Sequence, residues 1–133
     1  MSETTITFKP EVLDKVNKII ARYPEGRQKS ALIPILHIAQ KEFGGWLDVP
    51  VMDYIAKLLS IRNIEVYEVA TFYTMFNMKP VGKYVLEVCR TGPCMTRGSE
   101  KILDYIRKKL NIKDGETTED GLFTLKPAEC LGA

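Results

Sequence analysis

Long apolar runs are missing from this 133-residue chain. Nothing approaches the roughly 18 consecutive apolar residues of a membrane span. The opening, MSETTITFKP, has no basic segment leading into an apolar one, so no secretory signal is expected. Charge of one sign is scarce too: 19 Lys and Arg against 17 Asp and Glu leave a net +2, too little to favour a polyanion. The nearest basic cluster, Arg97, Lys101, Arg107, Lys108 and Lys109, is interrupted by Glu100 and Asp104. It also lacks interleaved aromatics to stack bases, so no nucleic-acid partner is expected. Histidine is represented only by His37, with no nucleophile or carboxylate at a telling spacing, which makes it a surface or helix-packing residue. No glycine-rich phosphate loop is present, since GPCMTRG lacks the glycine spacing of a dinucleotide fingerprint. The chain is expected to be cytoplasmic, where thiols stay reduced and cysteines serve as metal ligands or catalytic groups more often than as disulfides.

What is present falls into two patterns. The first reads as four short amphipathic helices. Pro10 suits a first helical position, and Val12, Leu13, Val16, Ile19 and Ile20 recur at one-face spacing. A second helix is predicted from an N-cap at Ser30, burying Leu32, Ile35, Leu36, Ala39 and Phe43 before Gly44 and Gly45 end it. A third starts near Pro50, with Met52, Ile55, Ala56 and Leu59 inward. A fourth follows Asn63, with Val66, Val69, Ala70, Tyr73 and Phe76 as its stripe. The aromatic stretch ATFYTMF within it fits a helix core better than a partner contact. Such helices hide their stripes against one another as a bundle.

After Gly82 the pattern changes. Residues 84–88 form a strand-like run ending at Cys89, and Ile102, Leu103, Ile106 and Leu110 mark a helix from about Gly98 or Ser99. A loop with turn signals at Asp114-Gly115 and Asp120-Gly121 leads to a second strand-like run, 123–125. Pro127 then favours an edge strand or a strand end. Strand, helix, strand is a βαβ unit with parallel strands. The expected architecture is α+β, a helical domain over 1–80 and a βαβ domain over 81–133.

That topology gathers the cysteines. Parallel strands end on one edge of a sheet, where α/β proteins build their sites. Cys89 and Cys94 follow the first strand, and Cys130 lies at or beyond the end of the second. Gly92 would allow close backbone approach and Pro93 would stiffen the loop. The helix start near Gly98, with Arg90 and Arg97, would favour an anionic centre. Spacing alone leaves several readings open: unligated buried cysteines, zinc, a Cys89–Cys94 disulfide switch, or an iron–sulfur cluster.

The stretches EVYEVATFYTMFNMKPVGKYVLEVC, TGPCMTRGSEKIL and KDGETTEDGLFTLKPAECLGA narrow the choice. They resemble the E-subunit family of NADH-quinone oxidoreductase (respiratory complex I), over nearly the whole chain. The shared signature is a Cys, four residues, a Cys, 35 residues, then Cys-Leu-Gly-Ala. The resemblance implies a helical bundle followed by a thioredoxin-like ferredoxin domain that carries a [2Fe-2S] cluster on four cysteines. Cys89, Cys94 and Cys130 match the first three ligands. The fourth falls immediately after Ala133, so the ferredoxin domain is expected to be C-terminally truncated here. The implied role is an electron-transfer subunit of an NADH dehydrogenase module, an electron carrier with no acid–base catalyst. Its implied partners are a subunit that binds FMN and NADH and other peripheral-arm subunits, attached to the membrane only through the complex. Related modules serve NAD-linked hydrogenases and formate dehydrogenases. The rivals from other classes are a zinc-stabilised interaction domain and a thiol-disulfide oxidoreductase.

Overall fold

The computed structural model describes residues 5–132, and its first helix, α1 (Pro10–Ile20), opens on the proline. Proline's fixed φ suits the first turn, where its missing N–H has no helical acceptor in any case. Val16 is fully buried, and Val12, Leu13, Ile19 and Ile20 pack around the same core. A 3₁₀ turn at Gln28–Ala31 then runs into α2 (Leu32–Glu42). Ser30 therefore lies inside the 3₁₀ turn and is not the N-cap expected of it. No side chain caps α2. Pro34 is its third residue, a position whose N–H would have no helical partner, so the helix tolerates it. After α2, Gly44 and Gly45 both take φ +89°, which glycine adopts without steric cost.

Helix α3 (Val49–Leu59) buries Val51, Met52, Ile55, Ala56 and Leu59. Asp48 precedes it, and its carboxylate accepts the Val49 N–H at 2.8 Å. Helix α4 (Asn63–Phe72) buries Val66 and Ala70. The expected stripe does not continue to Tyr73 and Phe76, because the backbone turns extended at Tyr73. The aromatic stretch is accordingly no helix core: Phe72 is 75% exposed and Tyr73 40%. Phe76 alone of these rings is buried, and it packs against His37 at 4.9 Å between ring centroids. Across this unit, which ends at Pro80, Ile35, Leu36, Ile55, Leu59 and Val66 are sealed from solvent. Each such side chain contributes about 1.5–3 kcal/mol by leaving water.

A second unit begins at Val81. Strand β1 (Tyr84–Cys89) is followed by a short helix, α5 (Gly92–Thr96), then α6 (Ser99–Leu110) and strand β2 (Phe123–Ala128). The strands are parallel, with Tyr84 opposite Phe123 and Cys89 opposite Ala128. The fold class is thus α+β, as expected. Pro127 lies within β2 opposite Val88, where its missing donor is tolerated in a two-stranded sheet. Leu103, Ile112 and Leu125 are the buried centre, flanked by Leu86, Val88, Ile106 and Leu110. Ile102 does not join them and is 55% exposed. Gly82 fixes the entry to β1. A Cβ there would lie 2.9 Å from the Leu122 carbonyl and the Phe123 nitrogen, and the Gly82 N–H donates to Thr124 Oγ1 at 2.7 Å.

Candidate metal centre

Strand register brings the cysteine-bearing segments side by side. Cys89 ends β1 opposite Ala128, and the Arg90 N–H donates to the Ala128 carbonyl at 3.0 Å. The chain therefore reaches Cys130 alongside the loop that leaves Cys89. Cys94 comes from α5, an element not anticipated in the sequence, where Gly92 and Pro93 suggested only a stiff loop. A Cβ on Gly92 meets nothing within 4 Å, so the close approach expected of that glycine is not to this chain's own atoms.

All three thiols are free; Cys89 and Cys94 are half-buried and Cys130 is exposed. Cys89 Sγ lies 3.0 Å from Thr91 Oγ1. The Thr91 hydroxyl and N–H, the Cys94 thiol and the Leu131 N–H hold the Cys89 thiol below its ordinary range. Cys94 is pushed the opposite way, first by its hydrogen bond with Cys89, then by burial and by the charges of Cys89 and Cys130. These opposite shifts make Cys89 the thiol of the pair that gives up its proton more readily. The Leu131 contact and the effect of Cys130 on Cys94 bring the third cysteine into the electrostatic field of the first two.

An open cleft of ≈ 400 Å³ is lined by Glu87, Val88, Cys89, Cys94, Arg97, Ser99 and Ile102. Ser99 is 6% exposed, and its Oγ has no hydrogen-bond partner among the described residues. An unpaired buried hydroxyl costs about 1–3 kcal/mol, so it marks a place for an acceptor. Gly98, at φ +108°, occupies the N-cap of α6, which leaves the Ser99 hydroxyl outside the capping role. The expected cationic contribution of Arg90 is offset, since it pairs with Glu100 at 3.5 Å and Asp114 at 3.9 Å.

Among the described residues, no three His, Cys, Asp or Glu side chains converge to hold one metal ion, the arrangement a zinc site needs. A two-iron cluster divides its thiolates between its metals and so does not require them to meet at one point. Soft thiolate donors, backbone N–H groups aimed at sulfur and an orphaned hydroxyl in the same cleft fit such a group. The fourth ligand implied by the family pattern lies beyond the described residues. The sequence pointed to the three cysteines but not to the Thr91 or Ser99 hydroxyls. A Thr two residues after a Cys, able to turn its oxygen back on the sulfur, was the readable signal for the first.

The family model for the thioredoxin-like [2Fe-2S] ferredoxin matches residues 16–133. The E subunit of NADH-quinone oxidoreductase from Rickettsia conorii is 51% identical over 130 residues, spanning 98% of this chain and 78% of that protein. Its counterpart in Rickettsia felis is 49% identical over the same shares. The mitochondrial NADH dehydrogenase [ubiquinone] flavoprotein 2 of Dictyostelium discoideum is 48% identical over 98% of this chain and 53% of its own length. These matches show that the chain belongs to the thioredoxin-like [2Fe-2S] ferredoxins, among the E subunits of NADH-quinone oxidoreductase.

Proposed function

We propose that Cys89, Cys94 and Cys130 are ligands of the [2Fe-2S] cluster of an electron-transfer subunit in the NADH dehydrogenase module of NADH-quinone oxidoreductase. The carrying observation is that Cys89 ends β1 beside Cys94, while the segment after Cys130 reaches back to the Cys89 sulfur. When bound, the cluster takes up and releases one electron at a time. The protein's own residues do the holding. The Thr91 hydroxyl and N–H and the Leu131 N–H stabilise negative charge on the Cys89 sulfur, the form that binds iron. The half-burial of Cys89 and Cys94 limits solvent access to that charge.

The partner in this reading is the subunit that binds FMN and NADH, with further contacts to other peripheral-arm subunits. Among the described residues no helix is long and apolar enough to cross a membrane. In this reading the chain sits at the cytoplasmic face and is held there through the complex.

The test is reconstitution of the full-length protein with iron and sulfide, followed by metal analysis and electron paramagnetic resonance. Two irons per chain and a one-electron signal are expected. Cys89→Ser, Cys94→Ser and Cys130→Ser should each abolish or grossly alter that signal. A colourless protein with stoichiometric zinc, or cysteine variants whose signal is unchanged, would overturn the assignment. Co-purification with a flavin-containing polypeptide is expected, and nickel or molybdenum in its place would redirect it to a hydrogenase or formate dehydrogenase.

A further inference from the structure

Two hydroxyls lie near the candidate ligands without being ligands: Thr91 against the Cys89 sulfur, and Ser99 among the residues lining the cleft. Thr91 Oγ1 is 3.0 Å from Cys89 Sγ, and either atom can donate while the sulfur is a thiol. A metal-bound thiolate has no proton, so in the loaded protein the donor is Thr91. Ser99 lines the cleft with Cys89 and Cys94, is 6% exposed, and has no hydrogen-bond partner for its Oγ among the described residues. Helix capping does not use it, because Gly98 holds that position.

We propose that the Thr91 and Ser99 hydroxyls are hydrogen-bond donors to the sulfurs of the bound [2Fe-2S] group and raise its reduction potential. This rests on the ligand assignment above. Reduction adds negative charge to the sulfurs, and a donor aimed at them stabilises the reduced state more than the oxidised one. Both are positioning residues: Thr91 touches the Cys89 sulfur, Ser99 lines the cleft beside Cys89 and Cys94, and neither is a ligand.

The full-length protein is first checked for iron and acid-labile sulfide, then titrated against redox mediators with detection by electron paramagnetic resonance. Thr91→Val and Ser99→Ala each remove a hydroxyl with little change in shape. Each should make reduction less favourable by up to roughly tenfold, ~59 mV for a one-electron couple. Thr91→Ser and Ser99→Thr keep the hydroxyl and should keep the midpoint. Loaded hydroxyl-free variants with unmoved midpoints, or conservative variants shifted just as far, overturn the proposal and leave the ligand assignment standing. A full-length protein without iron overturns both. One check needs no variant: iron–sulfur stretching bands that ignore transfer into D₂O in resonance Raman spectra mean that no exchangeable donor reaches the sulfurs, which also overturns the proposal.

Discussion

Glu65 carries a pH-dependent part of the bundle's stability. Its Oε1 accepts from Lys29 Nζ at 2.9 Å and its Oε2 accepts the Arg62 N–H at 3.0 Å, fixing the start of α4. These donors, the Lys29 ammonium first, lower its pKa from the ordinary 4.5 to about 2. A carboxylate depressed on folding stabilises the native state above its unfolded pKa, and that contribution is lost as the pH falls through the folded value. The stabilisation is therefore complete at neutral pH and drains away between 4.5 and about 2. Glu65→Gln should lower the urea midpoint at pH 7, and the gap to the parent should narrow as the pH falls below about 4.5. A constant gap over that range would show that the pairing is not what the variant removes. Lys29 lies 36 positions away in the chain, so this partnership is a product of the fold. Residue patterns gave the helix start after Asn63 but had no means of finding it.

Among elements, β1 and β2 depend on a close approach that only glycine permits. A side chain on Gly82 would press on the Leu122 carbonyl and the Phe123 nitrogen at 2.9 Å, and both belong to backbone that cannot swing aside. Gly82→Ala should destabilise the second unit by about 1–3 kcal/mol, as overpacking does. Gly92→Ala, with nothing within 4 Å of its added Cβ, is the control and should be near neutral. Equal denaturation midpoints for the two variants would contradict the steric account. The sequence announced a change of pattern at Gly82, and the strands, their parallel pairing and α6 were legible from periodicity. Elements set by local backbone chemistry were less so. Asp48 accepts the Val49 N–H, and Pro50, next along, has none to offer. Helix α4 stops at Phe72 although the apolar spacing runs on through Tyr73 to Phe76, since periodicity cannot tell a helix from the turn that prolongs its rhythm. The nearness of the cysteine-bearing segments was legible because topology gathers strand ends. The Ser99 hydroxyl was not, because its lack of a partner exists only in three dimensions.

At the scale of the whole molecule, the two units are built on unequal cores. The bundle seals Val16, Ile35, Leu36, Leu47, Ile55, Leu59 and Val66 completely or nearly so. The second unit rests on Leu103, Ile112 and Leu125, and leaves Tyr84, Ile102 and Tyr105 at least half exposed. Since burial supplies most of what opposes chain entropy, the second unit has the smaller reserve against local opening. Native-state hydrogen exchange on the chain without iron should show amides of α2 and α3 exchanging only near the global unfolding limit. Amides of β1, β2 and α6 should exchange through a lower-energy opening. Binding that engages only the folded form stabilises it by mass action, so loading iron and sulfide into the full-length protein should slow exchange in β1, α6 and β2 selectively. Protection that rose equally in α2 and α3 would mean that the two units open as one. A second unit already as protected as the bundle before loading would mean that its three-residue centre is not the weak point its packing indicates.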